Sequence, residues 1–135
     1  MKEVRILTID NRGRIVIPQI IRKSLGLTTN SQLILIADSD TKEIKIRPVG
    51  LSKEENPIKF RITMKDIPGA LARIANIFAQ NNISLIHGTS ISLEREKTAI
   101  WEVIGPLPRD KNIEDLKEIL LSEGEALKVE IVPLD

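Results

Sequence analysis

Asp10-Asn11-Arg12-Gly13-Arg14-Ile15-Val16-Ile17-Pro18 is followed, after Gln19, by Ile20-Ile21-Arg22-Lys23-Ser24-Leu25-Gly26-Leu27. Gly13 supplies a turn that bulkier residues resist. Ile15 and Ile17 alternate with Arg14 and Val16 as strand residues do. Pro18 suits a first helical position and Gly26 a helix stop. The block therefore reads as strand, turn and short helix, presenting Arg12, Arg14, Arg22 and Lys23 from compact structure instead of a loose tail. Working outward, 4–9 alternates as an edge-like strand and 14–17 forms a second. The short helix runs from near Pro18 to near Gly26, and 32–37 and 43–47 give two more strands around Asp38-Ser39-Asp40-Thr41. So small a unit buries little surface, and the row Leu33, Ile34, Leu35, Ile36 needs cover on both faces. Dimerisation through interleaved hairpins is the expected remedy.

Charge divides the chain. Residues 1–50 carry nine Lys or Arg against five Asp or Glu, a balance of +4, whereas 51–135 carry eleven against fourteen, a balance of −3. The net +1 of the 135 residues hides this asymmetry. With no Cys and one His, neither a disulfide scaffold nor a Cys- or His-rich metal site is expected. The sequence holds no long apolar run, and Met1-Lys2-Glu3-Val4-Arg5 lacks the apolar segment of a signal peptide. A cytoplasmic protein without a membrane partner is the expectation.

Gly50-Leu51-Ser52-Lys53-Glu54-Glu55-Asn56-Pro57 is polar, punctuated by Gly and Pro, and lies where the charge changes sign. It divides the chain into a domain at 1–50, a linker at 51–57 and a domain at 58–135. In the second domain 58–64 reads as a strand, and 68–80 as a helix with Leu71, Ile74, Ala75 and Phe78 at helical spacing. Strands at 83–93 and 98–104 surround Glu94-Arg95-Glu96-Lys97. A helix follows at 112–122 with Ile113, Leu116 and Leu120 on one stripe, and a last strand alternates Leu127, Val129 and Ile131 with Lys128 and Glu130. The order is βαββαβ, the ferredoxin-like pattern, so the fold class is α+β.

Two groups of residues carry candidate chemistry. Clustered arginines on a glycine-turned scaffold suit phosphate and base-edge contact, because the guanidinium fork donates two parallel hydrogen bonds and stays charged. Arginines on small strands also simply solubilise an exposed face. In the second domain, Asp66-Ile67-Pro68-Gly69-Ala70-Leu71 opens a helix with an acidic cap and a proline, and Gly69 leaves backbone amides accessible. Such a start attracts a carboxylate, and Asp66 can take an ammonium group. Asp-x-Pro-Gly is equally a good helix start with no ligand. His87 has no Ser, Cys or carboxylate constellation around it in sequence, and Trp101, alternating with Ala99 and Val103, reads as core or interface packing. With no phosphate loop, paired-carboxylate motif or metal signature, no enzyme is expected.

The first block resembles the DNA-binding domain of the AbrB/SpoVT family, whose pattern runs Asp, Gly, Arg, two aliphatics, Pro, then a basic pair before Leu-Gly. The resemblance covers about 4–48 and implies an intertwined dimer of swapped hairpins that grips double-stranded DNA. Carried over by position, Arg14, Arg22 and Lys23 fall on the family's basic contact sites. Leu7 stands where a first-strand arginine is often found; Arg5, on the same face, is its stand-in, and Arg12 is assigned to phosphate. The second half resembles an ACT domain over about 58–134, through its Pro-Gly-x-Leu helix start and Asn82-Ile83. That resemblance implies side-by-side pairing and a small effector, an amino acid, held by Met64, Asp66, Gly69, Asn82 and Ile83. Together they imply a DNA-binding transcriptional regulator, a homodimer or higher homo-oligomer, with no cofactor beyond its effector. Two alternatives stay open: an antitoxin-type DNA-binding protein, and an amino-acid-sensing regulatory subunit of a biosynthetic enzyme.

Overall fold

The computed structural model describes residues 2–51, 55–94 and 96–134. The chain divides into two compact units, Met1–Gly50 and Leu51–Asp135.

The first unit holds a short helix α1 (Gln19–Ser24) and one hairpin, β1 (Leu33–Asp38) with β2 (Glu43–Pro48), paired antiparallel from Leu33↔Pro48 to Asp38↔Glu43. Asp38 shapes the hairpin turn, its Oδ1 accepting from the Asp40 amide at 2.9 Å. Helix α1 starts one residue later than expected, with Pro18 as its N-cap. It closes in a Schellman motif: Leu27 N–H reaches Arg22 O (2.8 Å) and Gly26 N–H reaches Lys23 O (3.3 Å), with Gly26 at φ +69°.

The segments 4–9 and 14–17, expected as strands, join no ladder among the described residues. The Asp10 amide donates to Arg14 O at 2.9 Å and the Gly13 amide to Asp10 O at 3.1 Å, so the turn between them is made. Alternation records a preference for a pleated, half-buried setting, but a strand also needs a neighbour, which this chain does not supply to its own arms. No residue of the described part of the first unit is buried. Ile6 is 98% exposed and Val4 82%.

The second unit runs β3 (Glu55–Lys65), α2 (Ala70–Gln80), β4 (His87–Glu94), β5 (Thr98–Pro108), α3 (Ile113–Ser122) and β6 (Lys128–Val132). Its sheet has the order β4-β5-β3-β6 with all pairs antiparallel, so each βαβ unit is split by an intervening strand, the ferredoxin-like arrangement. Glu55, Asn56 and Pro57, expected in the linker, belong to β3; 52–54 lie outside the described residues. Pro57 sits opposite Pro106 where β3 has not yet met β6, an edge position at which a missing N–H is tolerated.

Period-2 side chains of the central strands meet period-3.6 side chains of the helices. Phe60, Ile62 and Met64 of β3, Trp101 and Val103 of β5, and Val129 of β6 are buried with Ile74 and Phe78 of α2 and Leu116 and Leu120 of α3. The chain's three aromatics form one cluster, Phe78 lying edge-on to Phe60 (5.4 Å between centroids) and to Trp101 (6.0 Å). Helix α3 is capped at Asn112, whose side chain accepts from the Glu114 amide at 2.8 Å. On the other side of the sheet Glu102 accepts from Arg61 Nε at 2.8 Å and faces Lys59 Nζ at 3.3 Å.

Candidate functional site

Residues 10–14 form a self-organised basic turn. Asp10 Oδ1 accepts from the amides of Arg12 (2.8 Å) and Arg14 (2.9 Å), and Oδ2 accepts from Arg14 Nε at 2.8 Å. Gly13 at φ +77° lets the chain reverse in four residues. The Arg14 amide and then its guanidinium hold the Asp10 carboxyl below its ordinary value, the Arg12 amide adding to the effect. Arg22 Nη1 donates to Ile17 O (2.5 Å), which ties the helix to the strand-like segment before it. Lys23 stands exposed beside Arg22 in the last turn of α1. Arg5 pairs with Glu3 at 3.2 Å. Guanidinium groups on such short tethers keep their geometry better than arginines on a free tail, which is what planar recognition of phosphate or a guanine edge requires.

In the second unit the connection from β3 to α2 departs from the expectation. Asp66 does not cap the helix: the N-cap is Gly69, at φ +86° and without a side-chain cap bond. That left-handed conformation favours glycine. Asp66 turns instead to the β4–β5 hairpin, where its Oδ2 accepts from Ser92 Oγ (2.8 Å) and the Glu96 amide (3.1 Å), while its own amide donates to Lys97 O (3.1 Å). The strand register slips between Ser92 and Glu94 just where this tie is made.

A cavity of about 200 Å³ opens beside this connection, and Met64, Asp66, Ala70 and Trp101 are among its lining residues. Met64 and Asp66 therefore share one site, and Gly69 immediately precedes a third member of its wall. Asn82 and Ile83 do not join them. They lie past the far end of α2, about 16 Å of helix away, and serve to close it: Ile83 N–H reaches Phe78 O (2.9 Å) and Asn82 N–H reaches Ala79 O (3.1 Å), a second Schellman motif with Asn82 at φ +57°. Asn82-Ile83 thus ends a helix, and β4 begins only at His87.

Reading the sequence alone missed Ser90 and Ser92 as site residues. Gly88, Ser90 and Ser92 are small at every second position of β4, and their register partners Val103, Trp101 and Ala99 belong to the helix-covered side. Period-2 smallness in a strand is a signal of close approach, and at Gly88 the Trp101 indole makes it. Among the described residues no group of three or more His, Cys, Asp or Glu could hold a metal ion. No helix there is long and apolar enough to cross a membrane.

Residues 6–54 match the family model described as antidote-toxin recognition MazE, bacterial antitoxin, and residues 60–121 match the model of the ACT domain. No curated protein matches the chain. Both domain types are regulatory, and together they fit a regulator. The chain therefore joins an N-terminal domain of the MazE/AbrB type to a C-terminal ACT domain.

Proposed function

We propose that the chain is a sequence-specific DNA-binding transcriptional regulator whose ACT domain senses a small effector, an amino acid. The observation that carries the reading is the ordered basic turn and helix, Arg12, Arg14, Arg22 and Lys23, in a unit that buries no described residue of its own. Such a unit requires a second copy. Interlocking of the arms 4–9 and 14–17 with those of a partner chain covers Val4, Ile6 and Val16 and supplies the missing ladder. Arg14, Arg22 and Lys23 then contact DNA from both chains, with Arg5 and Arg12 on phosphate. Phosphate contacts give affinity, and the few side chains that reach base edges give specificity.

Met64, Asp66 and Gly69 form the effector site, with the carboxylate of Asp66 for the ammonium group. Asn82 and Ile83 close α2 through their backbone amides, which leaves their side chains as the remaining proposed effector contacts, away from this cavity. An effector that favours one pairing of ACT domains alters the spacing of DNA-binding units; a coupling of about 1–3 kcal/mol changes operator affinity about 5- to 150-fold. The test is fluorescence anisotropy of the full chain on duplex DNA, across 50–200 mM salt, with and without each of the twenty amino acids. Salt-steep binding that one amino acid moves is the expected result. Binding that ignores both salt and every amino acid sinks the proposal.

An antitoxin role is the second reading, favoured by the description of the matched N-terminal family. Against it stands the packed core around Phe60, Phe78 and Trp101, where a toxin-binding tail has none. The single Trp101 reports on this directly. A cooperative thermal transition in its fluorescence, with no partner added, supports the regulator; a featureless melt returns the antitoxin.

A further inference from the structure

The wall of the cavity beside the β3–α2 connection is chemically one-sided. Met64, Ala70 and Trp101 are buried and apolar, Ile67 and Leu71 are apolar and half in solvent, and among the described residues Lys65 and Asp66 are its charged lining residues. Lys65 is the exposed last residue of β3, and Asp66 follows it. Among the described residues the charge in this wall therefore lies at the β3–α2 connection. Across from α2, β4 presents Ser90 in register with Trp101, so a small side chain pairs with the largest one in the chain.

We propose that this cavity selects its effector by an apolar side chain, branched aliphatic or phenyl, and that Ser90 and Leu71 set the size limit. The inference rests on the reading of the ACT domain as an effector site and adds the class of ligand. Met64, Ile67, Ala70, Leu71, Ala99 and Trp101 outnumber the hydroxyls of Ser90 and Ser92 in this wall, so a charged side chain seated against Met64 and Trp101 exchanges most of its water for apolar surface, which is costly. An apolar side chain loses nothing there and gains burial. A dry cavity of about 150 Å³ takes a benzene-sized group, so the roughly 200 Å³ available holds a leucine-like or phenyl side chain. Ser90, small and exposed, lines the cavity beside Trp101. Leu71, in the first turn of α2, covers the mouth.

The experiment is a thermal-shift and calorimetric screen of the full chain with leucine, isoleucine, valine, phenylalanine, alanine, glutamate and lysine. A ligand that binds only the native state raises its stability by mass action. Leucine-sized or phenyl amino acids are expected to raise the melting temperature while glutamate and lysine do not, and each methylene removed from the side chain weakens binding about tenfold or more. Ser90→Leu, at an exposed position, is expected to abolish binding of the larger amino acids and leave the Trp101-monitored melt of the free protein in place. Equal binding of glutamate or lysine, or unchanged leucine and phenylalanine binding in Ser90→Leu, overturns the assignment of ligand class and leaves the effector site standing. Failure of all seven to bind overturns both.

Discussion

Asp10 holds Arg14 by two bonds at once, one to its amide at 2.9 Å and one to its Nε at 2.8 Å. The arginine is thereby oriented by a residue four positions earlier, in a turn that Gly13 closes. Two effects oppose each other in Asp10→Asn. If the turn faces DNA as proposed, removing its negative charge strengthens non-specific attraction, whereas freeing Arg14 weakens any bidentate contact, which is worth about 1–3 kcal/mol of discrimination. The expected outcome is unchanged or tighter binding to random duplex, with at least a tenfold smaller preference for a selected operator. Parallel titrations on the two duplexes measure this.

Salt dependence separates contact from mere surface charge. If an interlocked dimer neutralises about six to eight phosphates, the slope of log affinity against log salt is about −5 to −7. Arg14→Ala combined with Arg22→Ala removes two cations from each chain, and each lost phosphate contact reduces the slope by about one. The double variant is expected to flatten the slope by up to about four. An unaltered slope means that DNA lies elsewhere.

Phe78 is fully buried between Phe60 and Trp101, and each contact is edge-on. Phe78→Ala leaves a cavity at the centre of the second unit and is expected to cost about 3–5 kcal/mol. For a domain of this size that corresponds to a fall in melting temperature of about 4–8 °C per kcal/mol. Trp101 fluorescence follows the transition.

Glu102 gives the second unit an acid-sensitive element. The hydrogen bond from Arg61 chiefly, and the nearby Lys59, hold its carboxyl below the ordinary value, against the opposing effect of partial burial. A carboxyl whose folded value is depressed stabilises the fold above its unfolded value, about pH 4.3, and the contribution is lost as pH falls through the folded one. Glu102→Gln is therefore expected to cost about 1 kcal/mol near neutrality, with the gap to the parent chain closing on acidification below about pH 4.3. Urea unfolding at a series of pH values tests the sign.

The sequence made the second domain readable because its signals were local. Leu71, Ile74 and Phe78 mark α2, Ile113, Leu116 and Leu120 mark α3, and alternation marks 58–64 and 98–104. What escaped it depended on distant partners. Nothing near Asp66 in sequence says that its carboxylate reaches Ser92 and Glu96 instead of the helix behind it. Pro57 reads as a break until Pro106 is placed opposite it at an edge. The arms 4–9 and 14–17 show the reverse case: the alternation is plain, and no strand neighbour for it is found among the described residues. At Asn82 the local sequence leaves the choice open, since asparagine suits a loop, a strand opening or a left-handed helix cap, and its φ of +57° decides among the three.

The two free edges of the C-terminal sheet are unequal. On one side β4 offers eight residues, His87–Glu94; on the other β6 offers five, Lys128–Val132, and is followed at once by Pro133. A short edge ended by a proline is a poor template for another strand. Growth by strand addition is thus open in one direction alone. If two such domains paired through β4, the short β6 edges would be left outward, and a sheet built that way would close at a pair instead of propagating.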